Sequence, residues 1–396
     1  MIRIDEQNIE FLDQIQKILT SRGIDSCKFS TDKPISNGSE NIFVACVESD
    51  FDFRQDKNLV LFLKSNNFQK AVLFSWDSSD FKTELHLNAA IIIVKLPISF
   101  YDNSSLRSFY FQNAVENIVQ KLPNLPCSDE NSVKLTSLIK KIAPTEATVL
   151  VNGPTGTGKE VVSNLIHHFS SRREKAFVAV NCAAIPDQML ESMLFGHEKG
   201  AFTGAVQPNK GLLRAADTGT VLLDEISEMP VSLQAKLLRV IQEKKVMPIG
   251  SSQEVDVDVR IIATTNRNML EEVKTGRFRE DLYYRLNVFP VNTLKLSDRI
   301  SDIPTIVANM MFKLDSENAV KTKFSENAFE RMSEYNWPGN VRELYNVIQR
   351  AIILSTNGEI LASDLIFDGC HEDTNTNTAD ALAAKIRNSV EDEVAL

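Results

Sequence analysis

The chain lacks the features that mark disulfide-stapled, secreted or membrane-spanning proteins. Its five cysteines are odd in number, widely spaced and never arranged as a CxxC pair, which argues against a disulfide framework and a zinc site. No apolar run approaches the roughly 20 residues that a bilayer requires, and the N-terminus shows neither the basic nor the apolar region of a secretory signal. We therefore expect a cytoplasmic protein with no membrane partner.

A surplus of basic residues is also missing. The 396 residues include 43 Lys and Arg against 53 Asp and Glu, a formal net charge of −10. Because duplex DNA is held largely by Lys and Arg on its phosphates, the whole-chain charge gives no reason to bind nucleic acid. Direct specific DNA binding is not expected unless a local basic element supplies it.

Pattern and composition predict two α/β regions, a helical region and two polar segments. The boundaries are 1–120 for a regulatory α/β domain, 121–134 for a linker, 135–297 for a second α/β block, 298–367 for helices and 368–396 for an acidic tail that we expect to be disordered. In the first region an amphipathic run at Ile9–Leu19 precedes short apolar stretches of strand character. These stretches are residues 42–47, 59–63, 71–74 and 89–94.

A glycine-rich turn lies between an apolar strand, Val149–Val151, and a helical pattern. Glycines let backbone N–H groups curl around phosphate oxygens, a helix N-terminus adds partial positive charge, and a lysine reaches the β- and γ-phosphates. The turn therefore predicts an ATP-binding phosphate loop. Its residues are Gly153, Pro154, Thr155, Gly156, Thr157, Gly158, Lys159 and Glu160.

A second apolar strand, Thr220–Leu223, ends in Asp224 and Glu225. Asp224 suits a Mg²⁺ ligand because hard cations prefer carboxylate oxygen, and Glu225 suits a base that polarises the attacking water. An acidic strand end is weak evidence alone. It lies about 65 residues after Lys159, downstream of the phosphate loop, and this order indicates hydrolysis of Mg²⁺-bound ATP.

Between these motifs stands the hexapeptide GAFTGA, in which small residues flank an apolar tip that is costly to expose without a partner. Its residues are Gly200, Ala201, Phe202, Thr203, Gly204 and Ala205. In this position it resembles the sigma-54-contacting loop of the bacterial enhancer-binding proteins, a branch of the AAA+ ATPases. The resemblance covers residues 130–366. It implies an AAA+ α/β subdomain with a helical lid, a sigma-54 RNA polymerase holoenzyme as partner, and Thr203 as the principal contact.

The resemblance also assigns roles to five other residues. Asn181 matches the asparagine that pairs with the catalytic glutamate, and Asn266 matches the sensor I residue near the γ-phosphate. Arg279 and Arg285 match paired arginine fingers offered to a neighbouring subunit's nucleotide, and Arg342 matches sensor II in the lid. Fingers supplied in trans imply a ring of this chain, of six or seven subunits in the family, and which arginine touches phosphate stays open.

Three positions depart from common patterns. Glu160 follows the lysine where most phosphate loops have Ser or Thr, a feature that enhancer-binding proteins share. Pro154 stands where the family commonly has Glu and removes one backbone donor, and we expect nucleotide binding to survive it. Residues 293–299 read TLKLSDR where the family has LPPLRER, so both prolines and one arginine of the segment before the lid are absent.

The N-terminal domain resembles a response-regulator receiver only in part. An acidic pair, Asp5–Glu6, stands near the start, and Lys95–Pro97 follows the last strand. Cys46 occupies the place of the phosphoacceptor aspartate, with Glu48 and Asp50 two and four residues further on. Because a thiol cannot form an aspartyl phosphate, we expect a degenerate receiver that does not use phosphorylation. The alternative is a small α/β docking domain unrelated to receivers.

The resemblance implies an ATPase that remodels sigma-54 RNA polymerase from the closed to the open promoter complex. Related activators of the NtrC type usually end in a basic Fis-type helix-turn-helix. The last 30 residues here carry a net charge of −5 and show none, so we expect the protein to act either from solution or through a DNA-binding partner protein. The flagellar regulators FleQ and FlbD also have aberrant receivers, which favours a flagellar role. Two alternatives stay open: a regulatory subunit in mixed rings with a full-length enhancer-binding protein, and a generic AAA+ remodelling ATPase.

Overall fold

The computed structural model describes residues 2–5, 9–29, 41–47, 57–78, 82–97, 104–119, 122–314, 323–355 and 358–367. The chain forms two compact units, one of residues 1–133 with 296–396 and the other of residues 134–295. The N-terminal domain and the helical segment thus fall in one unit, whereas the sequence pattern assigns them to separate domains.

The N-terminal part of the first unit is an α/β sheet. Its strands are β1 (Ile2–Ile4), β2 (Ser26–Lys28), β3 (Ile42–Cys46), β4 (Lys70–Ser78), β5 (Lys82–His86) and β6 (Ile91–Pro97), and its helices are α1 (Ile9–Ser21), α2 (Lys57–Ser65) and α3 (Ser104–Val119). The strand order is β2-β1-β3-β4-β6-β5, and every pairing is parallel except β5 with β6. Strands β3, β4 and β6 each contain a continuous apolar run because apolar clusters cover both faces of the sheet.

One predicted strand is a helix. The run at 59–63 lies in α2, where Leu63 is buried, Leu59 and Phe62 pack against the same cluster, and Leu61 is 65% exposed. Positions 59, 62 and 63 have the i, i+3, i+4 spacing of a helix face, but five apolar residues in a row hide that period. The strand prediction for this run is wrong.

Cys46 ends β3, and Asp5 lies close by. Burial, and then the nearby Asp5, raise the pKa of the Cys46 thiol to about 12, so the thiol is neutral at pH 7. Lys95 lies within β6, which extends to Pro97, so the expectation that Lys95–Pro97 follows the last strand is wrong; Lys95 pairs with Glu84 of β5 at 3.0 Å. Glu6, Glu48 and Asp50 lie outside the described residues, and the degenerate character of the receiver stays a prediction.

A five-stranded parallel sheet forms the centre of the second unit. Its strands are β7 (Val149–Asn152), β8 (Phe177–Asn181), β9 (Thr220–Asp224), β12 (Arg260–Thr265) and β13 (Phe289–Asn292), in the order β13-β7-β12-β9-β8, and β10 (Lys245–Val246) pairs antiparallel with β11 (Val255–Asp256). The helices are α4 (Glu130–Ile142), which leads into the unit, α5 (Lys159–His168), α6 (Asp187–Phe195), α7 (Leu212–Ala215), α8 (Val231–Glu243), α9 (Met269–Lys274) and α10 (Glu280–Leu286). Because the five strands are parallel, their carboxyl ends lie at one edge of the sheet, where ligands of such sheets bind.

The helical part of the first unit follows β13. It contains α11 (Ile303–Leu314), α12 (Glu326–Glu334), α13 (Asn340–Leu354), the short strands β14 (Lys323–Phe324) and β15 (Glu359–Ile360), and 3₁₀ turns at Leu296–Asp302 and Ala362–Asp364. Among the described helices, none combines the length and apolar character needed to cross a bilayer.

The N-terminal sheet and the helical part share one core. Helix α3 packs along α11, and the ring of Phe109 on α3 lies 4.9 Å from Phe324 and 5.3 Å from Phe329. The same apolar cluster contains residues from both parts of the chain. This common core explains why the two parts form one compact unit.

Candidate active site

The predicted phosphate loop connects β7 to α5, with Lys159 at the first position of the helix. Gly156 and Gly158 have φ values of 78° and 97°, in the left-handed region that favours glycine. The Nζ of Lys159 donates to the carbonyl oxygens of Gly153 at 2.8 Å and Pro154 at 3.1 Å. The carbonyl oxygen of Pro154 also accepts from Thr157 Oγ1 at 2.8 Å. Pro154 therefore still stabilises the loop through its carbonyl group, although it has no N–H to donate.

Thr293, at the end of the edge strand β13, packs against the loop. Its Oγ1 lies 2.7 Å from Oγ1 of Thr157, and a Cβ on Gly153 would come within 2.0 Å of the same Thr293 oxygen. Sequence reasoning noted this position only as part of a divergent segment. In the fold Thr293 packs directly against the phosphate loop. A side chain at position 153 would clash with Thr293, so glycine is required there.

The acidic pair ends β9, between β8 and β12. The two carboxylate oxygens of Asp224 are both bonded: Oδ2 accepts from Asn181 Nδ2 at 2.9 Å and Oδ1 from Thr264 Oγ1 at 2.5 Å. Glu225 has φ 54°, a left-handed backbone unusual for a residue with a side chain. Burial, and then Asp224 and Glu225, raise the pKa of the Cys182 thiol to about 12, so it stays neutral beside them.

Asn181 bonds to a different carboxylate from the one that the resemblance implies. Its amide nitrogen contacts Asp224 and not Glu225, while its oxygen accepts from the backbone N–H groups of Ala183 and Ala184 at 2.9 and 3.2 Å. The glutamate pairing that the resemblance implies stays a prediction.

The chemistry of this edge fits Mg²⁺. The Asp224 carboxylate is a hard oxygen donor at the strand end. Within the described residues no group of three or more acidic, His or Cys side chains forms a metal cluster. Mg²⁺ commonly takes one or two protein carboxylates and fills its remaining positions with phosphate oxygens and water, so one aspartate beside a phosphate loop is sufficient.

Asn266 directly follows β12 and connects the sheet edge to the phosphate loop. Its Nδ2 donates to Oγ1 of Thr155 at 3.1 Å. The sensor I candidate is therefore in hydrogen-bond contact with the loop that the sequence assigns to phosphate.

The two arginine-finger candidates lie on an exposed face of the second unit. Arg279 precedes α10 and pairs with Asp281 at 2.8 Å. Arg285, near the end of α10, is exposed and has no ion pair or hydrogen bond within the described part of the chain. Both guanidinium groups belong to the surface, as groups that act on a neighbouring molecule must.

Arg342, the sensor II candidate, lies in the first turn of α13, and its side chain is exposed. It belongs to the first unit. Its role toward the nucleotide stays a prediction.

The GAFTGA hexapeptide forms a tight turn with an exposed tip. Gly200 and Gly204 have φ of 82° and 106°, and the N–H of Gly200 donates to the carbonyl of Ala205 at 2.8 Å. Thr203 is exposed and Phe202 is 45% exposed, with its ring 5.0 Å from the ring of His197. The loop thus presents an apolar and hydroxyl-bearing tip on a closed base.

His197 anchors that base. Its backbone pairs in both directions with Asn209, its Nδ1 lies 2.8 Å from Ser192 Oγ, and its Nε2 lies 3.0 Å from the carbonyl oxygen of Gln207. Both ring nitrogens are therefore engaged. The base is fixed to the end of α6 while the tip stays exposed.

A phosphate loop and acidic strand end on a parallel sheet, followed by a helical segment, define a P-loop ATPase of the AAA+ class. Residues 126–292 match the sigma-54 interaction domain family, and residues 297–382 match the AAA+ ATPase lid domain family. The chain therefore carries a sigma-54 interaction domain followed by an AAA+ lid domain.

Similar proteins agree with this assignment. Over 253 residues the chain is 49% identical to the response regulator protein FleR of Pseudomonas aeruginosa, which covers 62% of this chain and 54% of FleR. It is 46% identical over 270 residues to the Nif-specific regulatory protein of Klebsiella pneumoniae, with 68% and 49% covered. The chain thus spans about half the length of the curated relatives it matches.

The fold also resembles a solved structure along nearly its whole length. The crystal structure of NtrX from Brucella abortus in complex with ADP superposes with a TM-score of 0.59 at 24% identity, covering 98% of this chain and 91% of that one. The receiver-like fold class assigned to the N-terminal domain is confirmed by this likeness.

Proposed function

We propose that this protein hydrolyses Mg²⁺-bound ATP and uses the energy to move its GAFTGA loop against the sigma-54 RNA polymerase holoenzyme, converting the closed promoter complex to the open one. The observation that carries the proposal is one compact unit holding both an assembled set of nucleotide-site residues and an exposed apolar loop. A generic remodelling ATPase would leave that loop without a purpose.

The chemistry follows from the positions of the side chains. Lys159 supplies positive charge within the phosphate loop, and Asp224 would hold the Mg²⁺, which when bound would supply further positive charge next to the phosphoryl oxygens. Glu225 orients and polarises the attacking water, and Asn266 reaches the loop from the next strand end. Phosphoryl transfer depends mainly on such positioning and charge stabilisation.

Thr203→Ala tests the loop assignment. Loss of a central contact in an interface costs about 1.4 kcal/mol or more, so we expect open-complex formation with sigma-54 holoenzyme to fall about tenfold or more. ATP turnover should stay within about twofold of wild type, because Thr203 lies in an exposed loop outside the nucleotide site. Permanganate footprinting and phosphate release measure the two activities.

Thr275→Ala is the matched control, since it removes an exposed threonine hydroxyl just after α9 that donates to the carbonyl oxygens of Glu271 and Glu272 in that helix. This control should activate transcription as wild type does. Full activation by the Thr203 variant would overturn the assignment of the loop.

The exposure of Arg279 and Arg285 supports assembly of this chain into a ring, and the resemblance to the family suggests six or seven subunits. Arg285→Ala should lower kcat about 10³-fold, the usual effect of losing an arginine finger. Lys159→Ala should be inactive for another reason, since it damages its own nucleotide site. Mixing the two variants should restore part of the activity, because a Lys159 variant still offers Arg285 to its neighbour. Turnover against total concentration and mixing ratio measures this, with Arg279→Ala run in parallel.

No recovery on mixing, with each variant folded, would contradict action in trans. A steep rise of wild-type turnover with concentration supports a self-sufficient ring. Turnover only after addition of a second enhancer-binding protein would favour the alternative of a mixed-ring regulatory subunit.

A further inference from the structure

Thr264 lies next to the acidic pair but belongs to a different strand. It is the fifth residue of β12, which pairs with β9 so that Ala263 faces Leu223 and Thr264 comes beside Asp224. Its side chain is fully buried, at 0% exposure. A buried hydroxyl needs a hydrogen-bond partner, and the partners of Thr264 are the two residues of the acidic pair.

The Thr264 hydroxyl forms two hydrogen bonds whose directions are settled by the atoms involved. Oγ1 lies 3.1 Å from the backbone nitrogen of Glu225, which can only donate, and 2.5 Å from Oδ1 of Asp224, which as a carboxylate can only accept. The hydroxyl therefore accepts from Glu225 and gives its single hydrogen to Asp224. One atom thus bridges the two residues of the acidic pair.

The bridge acts on both members of the pair. On Asp224 it holds one oxygen while Asn181 holds the other, so rotation of the carboxylate is restricted. On Glu225 it holds the N–H of a residue whose backbone is in the left-handed region, at φ 54°. Such a conformation persists only where the surroundings over-determine it, and the direction of the Glu225 side chain depends on it.

We propose that Thr264 is a positioning residue for ATP hydrolysis, which sets the orientation of the Mg²⁺-binding carboxylate of Asp224 and of the backbone that aims Glu225. This inference rests on the proposed ATPase function. The Thr264 hydroxyl is bonded to Asp224 and to the Glu225 backbone, so its effect passes through these two neighbours. If the residue served only to fill space, valine would replace it without loss, because valine has nearly the same shape.

The test compares Thr264→Val, which removes the hydroxyl, with Thr264→Ser, which keeps it, in the full chain. Outer-shell partners of metal sites typically contribute 10–100-fold to affinity or activity. We expect the valine variant to lose about tenfold or more in kcat, with KM for ATP within about twofold and the half-saturating Mg²⁺ concentration raised several-fold. Serine should recover most of kcat.

Thr220→Val is the matched control for loss of a buried hydroxyl. Thr220 is equally buried, lies at the opposite end of β9, and bonds through Oγ1 to Nδ1 of His167 at 2.9 Å. It should lower the melting temperature about as much as Thr264→Val does, yet leave kcat and the Mg²⁺ dependence unchanged. A loss common to both variants would assign Thr264 to stability alone.

A second readout does not depend on turnover. The affinity for Mn²⁺ in the presence of ADP, measured by electron paramagnetic resonance, should fall several-fold in Thr264→Val and not in Thr264→Ser. Wild-type kcat and wild-type Mn²⁺ affinity in the valine variant would overturn the inference. A wild-type chain that turns over no ATP would instead defeat the proposed function, and the Mn²⁺ comparison would still decide the role of Thr264.

Discussion

Replacing Glu225 by Gln is expected to reduce ATP turnover about 10²–10⁴-fold, the usual contribution of a general base, while ATP stays bound. The amide has the shape of the carboxylate but cannot accept the proton of the attacking water. Glu225 is well placed for that task, because within the described residues its carboxylate forms no ion pair and its backbone is held by Thr264. Binding should survive because Lys159 and the phosphate loop are untouched.

Steady-state phosphate release and equilibrium binding of a fluorescent ATP analogue separate these two effects. Glu228→Gln is the control: Glu228 lies three residues further on, in a 3₁₀ turn, and pairs with Arg267 at 2.6 Å. A partly exposed pair of this kind contributes little, so turnover should be unchanged. Near-normal turnover in Glu225→Gln, or loss of ATP binding with it, would remove Glu225 from the role of base.

The candidate nucleotide site can be proposed from the sequence because its parts are local in sequence. A phosphate loop needs glycines, a lysine and a following helix within a few residues, and an acidic strand end needs only its strand. Their order along the chain then supported the resemblance, and the family match over residues 126–292 confirms it. What brings them together is the parallel sheet, whose carboxyl ends share one edge.

The residues that sequence reasoning missed depend on contacts between distant strands. Thr264 reads as an ordinary strand residue, since threonine favours strands in any case. Its importance appears only when β12 lies beside β9, an arrangement that chain order does not reveal. Thr293 shows the same limit, because its contact with Thr157 spans 136 residues.

The core shared by the N-terminal domain and the helical segment was missed for a related reason. Composition shows a break near residue 120, and a break in pattern suggests separate domains. Helices α3 and α11 nevertheless pack together, and a buried polar group lies between them. Arg22, just after α1, forms an ion pair with Glu116 on α3, and Asn309 on α11 donates to the second Glu116 oxygen at 3.0 Å.

This buried group leads to the second large expected effect, on stability. Arg22 and Glu116 are both at 0% exposure, and Arg22 also donates to Gln112 at 2.7 Å. Arg22→Met would leave the Glu116 carboxylate buried without its countercharge, which typically costs about 3–5 kcal/mol. For a unit of this size we expect the melting transition to fall by roughly 10 °C, as measured by scanning calorimetry.

The double variant Arg22→Met/Glu116→Leu separates charge from packing. It removes both charges together, and replacing a buried pair by apolar groups of similar volume is often neutral, so most of the lost stability should return. Asn309 would still lose its acceptor, which leaves a residual cost of about 1–3 kcal/mol. Arg173→Met, at a well-exposed pair with Glu174, should leave the transition unchanged.

Glu116 binds both Arg22, which follows α1, and Asn309, which lies on α11. The loss of stability in Arg22→Met should therefore extend to both parts of the first unit. Hydrogen exchange of amides in α3 and α11 should therefore accelerate together in Arg22→Met and recover together in the double variant. Faster exchange confined to the N-terminal sheet, with α11 unchanged, would show that the two parts unfold independently. If they are coupled as the shared core implies, removing the N-terminal domain exposes apolar surface of α11, and the properties of a truncated chain would include that damage as well as the direct effect of losing the domain.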